Sequence, residues 1–348
     1  MAHYPLVRNL KLLPLWLIAF VLLIAAILFQ PPLFYIICFL SPVMLAVCGI
    51  SAGIVPMTVF SLVLPVVAWL LFGETLTPAL CAIYLVPFLI VHIYCFARKV
   101  PFWHMAAAHI AALAISQTAI LAILRHFVGG NLFVGGADYL VQLVAESPNG
   151  NELLLLLHRL NLLQLPEGMI SAINFSIAQV MMPKARIELL NGLRTFLELY
   201  LPVLLPTVIV NNAILAGVFG VAFPLLAARR LKVDVVQMEP FATWHLSSSA
   251  GVVVFLLGLG NLLSSGFPNS YLSLAGMMMS EAFFIVFAIQ GAAIIDFFRA
   301  RTGAYTSFRW LWPCAVFITI PWLLMIIGIA DQIMNFRGLR KPKNREEI

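Results

Sequence analysis

Runs of about twenty apolar residues, parted by short polar breaks, follow one another along most of the chain. They lie at 12–29, 33–51, 54–72, 77–96, 105–124, 202–228, 249–264, 271–297 and 311–329. At a rise of about 1.5 Å per residue, runs of this length match a hydrocarbon core about 30 Å thick. The breaks hold residues that stop helices. Gln30-Pro31-Pro32 ends the first run, because proline cannot continue the hydrogen-bond ladder. Gly73-Glu74-Thr75 parts the third and fourth, and Ala97-Arg98-Lys99-Val100-Pro101 the fourth and fifth. Prolines inside runs (Pro42, Pro56, Pro65, Pro87, Pro206) are compatible with spanning helices, whose neighbours satisfy the freed carbonyls. Short alternating strands, the mark of a membrane barrel, are missing. The pattern predicts an all-α integral membrane protein, a polytopic bundle of about 8–10 transmembrane helices.

The longest connection, 125–201, breaks this rhythm. Asn151 to Leu163 and Ile170 to Tyr200 read as amphipathic helices, with Pro183 interrupting the second. His158, Arg159, Lys184, Arg186, Glu188 and Arg194 give them a polar side against Leu, Ile and Phe. Such helices are expected to lie along the membrane surface, with a gating or lid role as the alternative. The chain reads as a single membrane domain over 1–348. It holds a first helical group at 12–124, the long connection at 125–201, a second group at 202–329 and a basic tail at 330–348. No internal repeat is visible.

Composition sharpens the class. The 348 residues are 63% hydrophobic and 10% charged, with mean hydropathy +1.03. A soluble domain has about a quarter of its residues charged, so the chain lacks the charge to cover a wetted surface. The net charge of +6 sits mostly in the connections and the C-terminus, pointing to topology and anionic lipid instead of nucleic acid. Arg8 and Lys11 precede a run without a cleavage-site pattern, which reads as a retained first helix. A cytoplasmic N-terminus puts Arg98-Lys99, then Arg229-Arg230-Lys232, then Arg299, Arg301 and Arg309 on the cytoplasmic side. Nine crossings would leave RGLRKPKNR outside, so one run is re-entrant or merged, or a crossing lies within 166–200. The five cysteines fall inside apolar runs without a C-x-x-C pair, giving neither a disulfide framework nor a zinc site.

The catalytic motifs G-x-x-x-x-G-K-[ST], H-E-x-x-H and G-x-S-x-G do not occur, and no carboxylate-rich metal pattern does. A non-enzymatic protein without cofactor or metal is therefore expected. What remains is polar residues at membrane depth: Asn211 and Asn212, Gln117 beside Ser116, Glu281 and Gln290, and Asn261. Glu281 stands about 15 Å into its run, near the bilayer centre. Gln290 is nine residues further, on the opposite side of the helix. Glu281, Asn211, Asn212 and Gln117 form the candidate substrate or proton path, because an intramembrane carboxylate is costly unless it serves a function. The competing reading has amides tying helices together and a protonated Glu281 packed between them. His92, His104 and His109 read as interfacial residues around the fourth connection. Trp103, Trp244, Trp310, Trp312 and Tyr94 read as interface anchors.

Three stretches carry a family resemblance: Pro240-Phe241-Ala242-Thr243-Trp244-His245-Leu246, the Gln290-Gly291 step, and GIADQIMNFRGLR at 328–340 with Asp331, Phe336 and Arg337. They are similar to the YybS-like family of uncharacterised bacterial membrane proteins, which distantly resembles the S components of energy-coupling-factor vitamin transporters. The resemblance implies a small-solute-binding bundle in a bacterial inner membrane, served by a separate energising subunit. An S-component-like transporter or solute-binding protein is the leading expectation. A membrane scaffold that recruits partners through its surface helices and basic tail is the alternative.

Overall fold

The computed structural model describes residues 11–29, 33–73, 75–128, 131–147, 150–164, 183–233, 236, 238–264, 270–301, 315–317 and 319–339. Among them every regular element is helical: α1 (Leu13–Phe29), α2 (Leu33–Ala52), α3 (Ile54–Phe72), α4 (Leu76–Ala97), α5 (Phe102–Val128), α6 (Leu132–Glu146), α7 (Gly150–Arg159), α8 (Pro183–Arg230), α9 (Ser248–Ser264), α10 (Ser270–Arg301) and α11 (Pro321–Met334). A short 3-10 turn, Phe241–Thr243, precedes α9. By length and composition α3, α4, α5, α8 and α10 can each cross a membrane, and α1, α2, α9 and α11 contain shorter apolar helices. Their outward faces carry Leu17, Val59, Leu62, Leu70, Ile90, Val252 and Leu262, all exposed. Apolar side chains in this number are stable only against lipid. The protein is a multi-pass helical membrane protein.

The chain forms two compact units, Met1–Ile120 with Val208–Ile348, and Leu121–Thr207. In the first, α1 to α4 pack as consecutive neighbours around Leu45, Met57, Phe60, Leu85 and Phe88. Only Gly53 separates α2 from α3, and its φ of 112° is a backbone state that side-chain-bearing residues rarely adopt. The α10 helix packs on both α9 and α11. Its contact with α11 is backbone on backbone: a Cβ at Gly291 would collide with the Leu324 carbonyl, and one at Gly328 with the Phe287 carbonyl. Glycine at both positions lets the helices approach this closely, as membrane helices without a hydrophobic driving force require.

In the second unit Leu154, Leu155, Leu163, Leu189 and Leu193 make a small core. Asn131 caps α6 by accepting the Phe133 N–H at 3.0 Å. Arg186 donates to Asn151 Oδ1 at 2.9 Å and to the Ala145 carbonyl. The amphipathic expectation is met by α7 and extends to α6, which the hydrophobic pattern alone did not separate.

Three expectations change. From Pro183 onward α8 runs unbroken for 48 residues through Pro202 and Pro206, so no break parts 183–201 from 202–228. Residues 170–182 of that expected helix lie outside the described residues. The last apolar run does not end at 329. Helix α11 continues to Met334, and Asn335 stops it in the left-handed conformation (φ 51°) with its N–H on the Asp331 carbonyl at 2.8 Å. Residues 331–337 are thus part of the fold, not of a free basic tail. Trp244, expected at an interface, is buried against Phe102, Trp103 and Phe241. Trp310 and Trp312 lie outside the described residues.

Candidate functional site

Two polar layers lie inside the apolar core that α4, α5 and α8 share. On α4, Tyr84, Phe88 and His92 follow at four-residue steps and present one broad face. On α5, His109, Leu113 and Gln117 do the same. Glycines bring α8 close: a Cβ at Gly217 would strike the side chain and backbone of Ile110, and one at Gly220 would press on the Phe88 ring. Eight residues separate the layers on each helix, about 12 Å. Fully buried Phe88 and Leu113 fill the space between.

The first layer is built on Tyr84. Asn212 Nδ2 of α8 donates to the Tyr84 hydroxyl at 2.8 Å, and the Gln117 side chain of α5 approaches the same hydroxyl. Asn212 is 3% exposed and Gln117 7%. Both amide oxygens, together with Asn211 Oδ1, are buried with no hydrogen-bond partner among the described residues. A buried acceptor left unpaired costs about 1–3 kcal/mol, and lipid offers no donor to relieve it. Chemically the layer can accept hydrogen bonds or hold a cation, and it carries no carboxylate of its own. Cys38 and Cys81 pair at 3.8 Å one turn of α4 away.

The second layer is His92 with His109, both 0% exposed. His92 Nδ1 lies 3.2 Å from His109 Nε2, and His109 Nδ1 lies 2.7 Å from the Met105 carbonyl. The expectation of interfacial histidines therefore fails for these two, while His104 is exposed. Helical register turns both inward, onto Phe88 and Phe96.

The four candidate residues do not assemble into one site. Gln117 and Asn212 meet at Tyr84, while Asn211, the adjacent residue of α8, is half-buried and stands about 100° around the helix from Asn212. Glu281, half-buried on α10, makes no hydrogen bond or ion pair among the described residues. Gln290, opposite Glu281, belongs to a separate network. Its Nε2 contacts Asp331 Oδ2 at 3.3 Å and Gln332 Oε1 at 3.2 Å, and Asp331 binds Arg337. No group of three or more metal-ligating side chains occurs among the described residues.

The sequence pattern does not single out Tyr84, and it places His92 and His109 at the interface where the structure buries them. The signal was present in the matched eight-residue spacings, Tyr84 to His92 and His109 to Gln117, which align only when α4 and α5 run antiparallel. No curated protein and no solved structure matches the chain. A family model of predicted membrane proteins matches residues 17–332, nearly the whole helical region from α1 to α11. With its apolar helices in place, the chain belongs to this family, DUF2232.

Proposed function

We infer that the protein is a non-enzymatic solute-binding or transport protein of a bacterial inner membrane, working in the manner of the S components that its YybS-like motifs resemble. The observation that carries this reading is the set of unpaired oxygens of Asn211, Asn212 and Gln117, buried among membrane helices. Buried polar atoms nearly always have a partner, so the unpaired acceptors of Asn212 and Gln117 at Tyr84, with a third on the neighbouring Asn211, call for a donor-bearing solute or a cation. Glu281 is a second station of the path, reached as the solute leaves the Tyr84 layer, and a separate subunit supplies the energy.

The test is direct. Protein purified in nanodiscs is heated to release bound molecules, which are identified by mass spectrometry and elemental analysis beside the Asn212→Leu and Gln117→Leu variants. A species carried by the parent protein and lost from folded variants supports the reading. Variants that melt higher than a parent carrying nothing sink it, because the amides are then uncompensated packing.

One feature favours the scaffold alternative. The second unit has an open apolar groove of about 440 Å³ lined by Leu140, Leu143, Val144, Leu153, Leu193 and Leu197. Partner capture that survives Asn212→Leu and fails when Leu143 and Leu153 become Asp would favour that reading.

A further inference from the structure

The hydrogen bonds of the histidine pair determine its tautomers. The Met105 carbonyl can only accept, so His109 Nδ1 carries a proton and donates it at 2.7 Å. In a neutral ring the other nitrogen, Nε2, is then an acceptor. His92 Nδ1, 3.2 Å away, must be the donor to it. That leaves His92 Nε2 as a lone pair, buried and with no hydrogen-bond partner among the described residues. Two fully buried imidazoles thus form a wire with one vacant basic end.

We propose that His92 and His109 form an intramembrane proton-binding site, with His92 Nε2 as the atom that takes up and returns the proton. Hydronium delivers a proton to His92 Nε2, leaving water. The Nδ1 proton of His92 passes to His109 Nε2, so one N–H bond forms at His92 as another moves across the hydrogen bond. One net positive charge enters and no electrons are exchanged. The charge is then on His109, whose Nδ1–H still faces the Met105 carbonyl, and a cation strengthens that bond. The Phe88 ring lies 4.8 Å from the His109 ring, and Phe96 lies 4.5 Å from His92, within the range in which ring quadrupoles attract a cation. With ring centroids 5.4 Å apart, two imidazolium rings repel, so the pair takes one proton and titrates as a unit.

The pair sits in an apolar shell. Cys95 and Phe96 of α4, Met105 of α5, Ile50 of α2, Val218 and Val221 of α8 and Ile285 of α10 belong to the same cluster. Among side chains that are described, the other titratable groups on these packing elements are Cys38 and Cys48 of α2, Cys81, Tyr84, Tyr94 and Cys95 of α4, Arg125 and His126 of α5, and Glu281, Asp296, Arg299 and Arg301 of α10, while α8 brings none between Val208 and Ala228. Arg98, Lys99 and His104 stand at the α4–α5 connection. This site goes beyond the solute reading: it makes the proton a ligand of the α4–α5 core whether or not the amide layer holds a solute.

The experiment is nitrogen-15 NMR of protein in nanodiscs with imidazole-labelled histidine, the two rings assigned by His92→Phe and His109→Phe. At alkaline pH both rings should be protonated on Nδ1 alone, unlike the usual Nε2–H form. On acidification a single imidazolium signature should appear, shared by the two rings. His109→Gln is the control for folding, because its amide can donate to Met105 and accept from His92 yet cannot hold the proton. It should leave the fold intact and abolish the shared signature. An Nε2–H tautomer on either ring, independent titration of the two, or a His92 Nε2 that stays unprotonated until the protein unfolds would overturn the proposal.

Discussion

Arg337 folds back onto Asp331, its Nη2 2.9 Å from Oδ2, with the two side chains 0% and 4% exposed. Its Nε donates to the same oxygen at 3.2 Å and its Nη1 to the Ala242 carbonyl at 2.9 Å. The guanidinium thereby ties the end of α11 to the turn before α9. Removing one member leaves the other charge buried and alone, a loss of about 3–5 kcal/mol. Arg337→Ala and Asp331→Ala should each lower the melting temperature in detergent and the amount of protein in membranes. Arg337→Lys should rescue neither, because an ammonium cannot serve both Asp331 and Ala242 with the planar fork. A lysine variant as stable as the parent would show that the geometry is unimportant.

The α10–α11 crossing makes a steric prediction. A side chain at Gly291 or Gly328 meets main-chain carbonyl oxygen of the opposite helix, not a flexible side-chain tip. Gly291→Val and Gly328→Val should therefore prevent α11 from docking, and even alanine should cost about 1–3 kcal/mol. Gly73, where an added Cβ meets nothing within 4 Å, gives the contrast. Its φ of 65° is the sole penalty there, so Gly73→Asn should be mild. Melting curves of the three variants rank the effects.

Glu281 separates function from stability. No hydrogen bond or ion pair among the described residues uses its charge, so Glu281→Gln should leave abundance and melting unchanged. Glu281→Leu removes a polar group from a half-buried membrane position and should be at least as stable as the parent. If Glu281 lies on the solute path, release of the bound species should slow or stop in Glu281→Gln while the folded fraction stays constant. Unaltered release with unchanged pH dependence removes Glu281 from the path.

Basic residues close the helices that should end at the cytoplasm. Arg98 and Lys99 follow α4, Arg229 and Arg230 lie in the last turn of α8, and Arg299 and Arg301 in the last turn of α10. Lys and Arg favour the cytoplasmic side during insertion and also oppose the negative end of the helix dipole. Single cysteines at 98, 230 and 300, in a chain lacking the native five, should resist an impermeant maleimide added from outside. Labelling at 230 would reverse the orientation of α8.

Most of the helical architecture was legible along the chain, because hydrophobic length against bilayer thickness is a one-dimensional quantity. Among the described residues each of the nine apolar runs overlaps a helix, and the breaks at Gly73 and at 98–101 fall between helices. The end of the last helix, at Met334 and not at 329, lay beyond the apolar run, because where a helix stops depends on the partners of its backbone groups, which local composition does not show. The resemblance also marked residues that meet in space, since Ala242, Gln290, Asp331 and Arg337 share one network. What they do there, an ion pair closing a helix end on a neighbouring turn, was not readable, because 95 residues separate Ala242 from Arg337. Tertiary structure alone decided the polar core. Tyr84, Gln117 and Asn212 come from three helices, and His92 bonds His109 only because antiparallel packing aligns two equal spacings. Sequence determines how many residues can hide from water; which polar atoms then face one another, and which stay unpaired, depends on helix register and on glycines that let backbones approach.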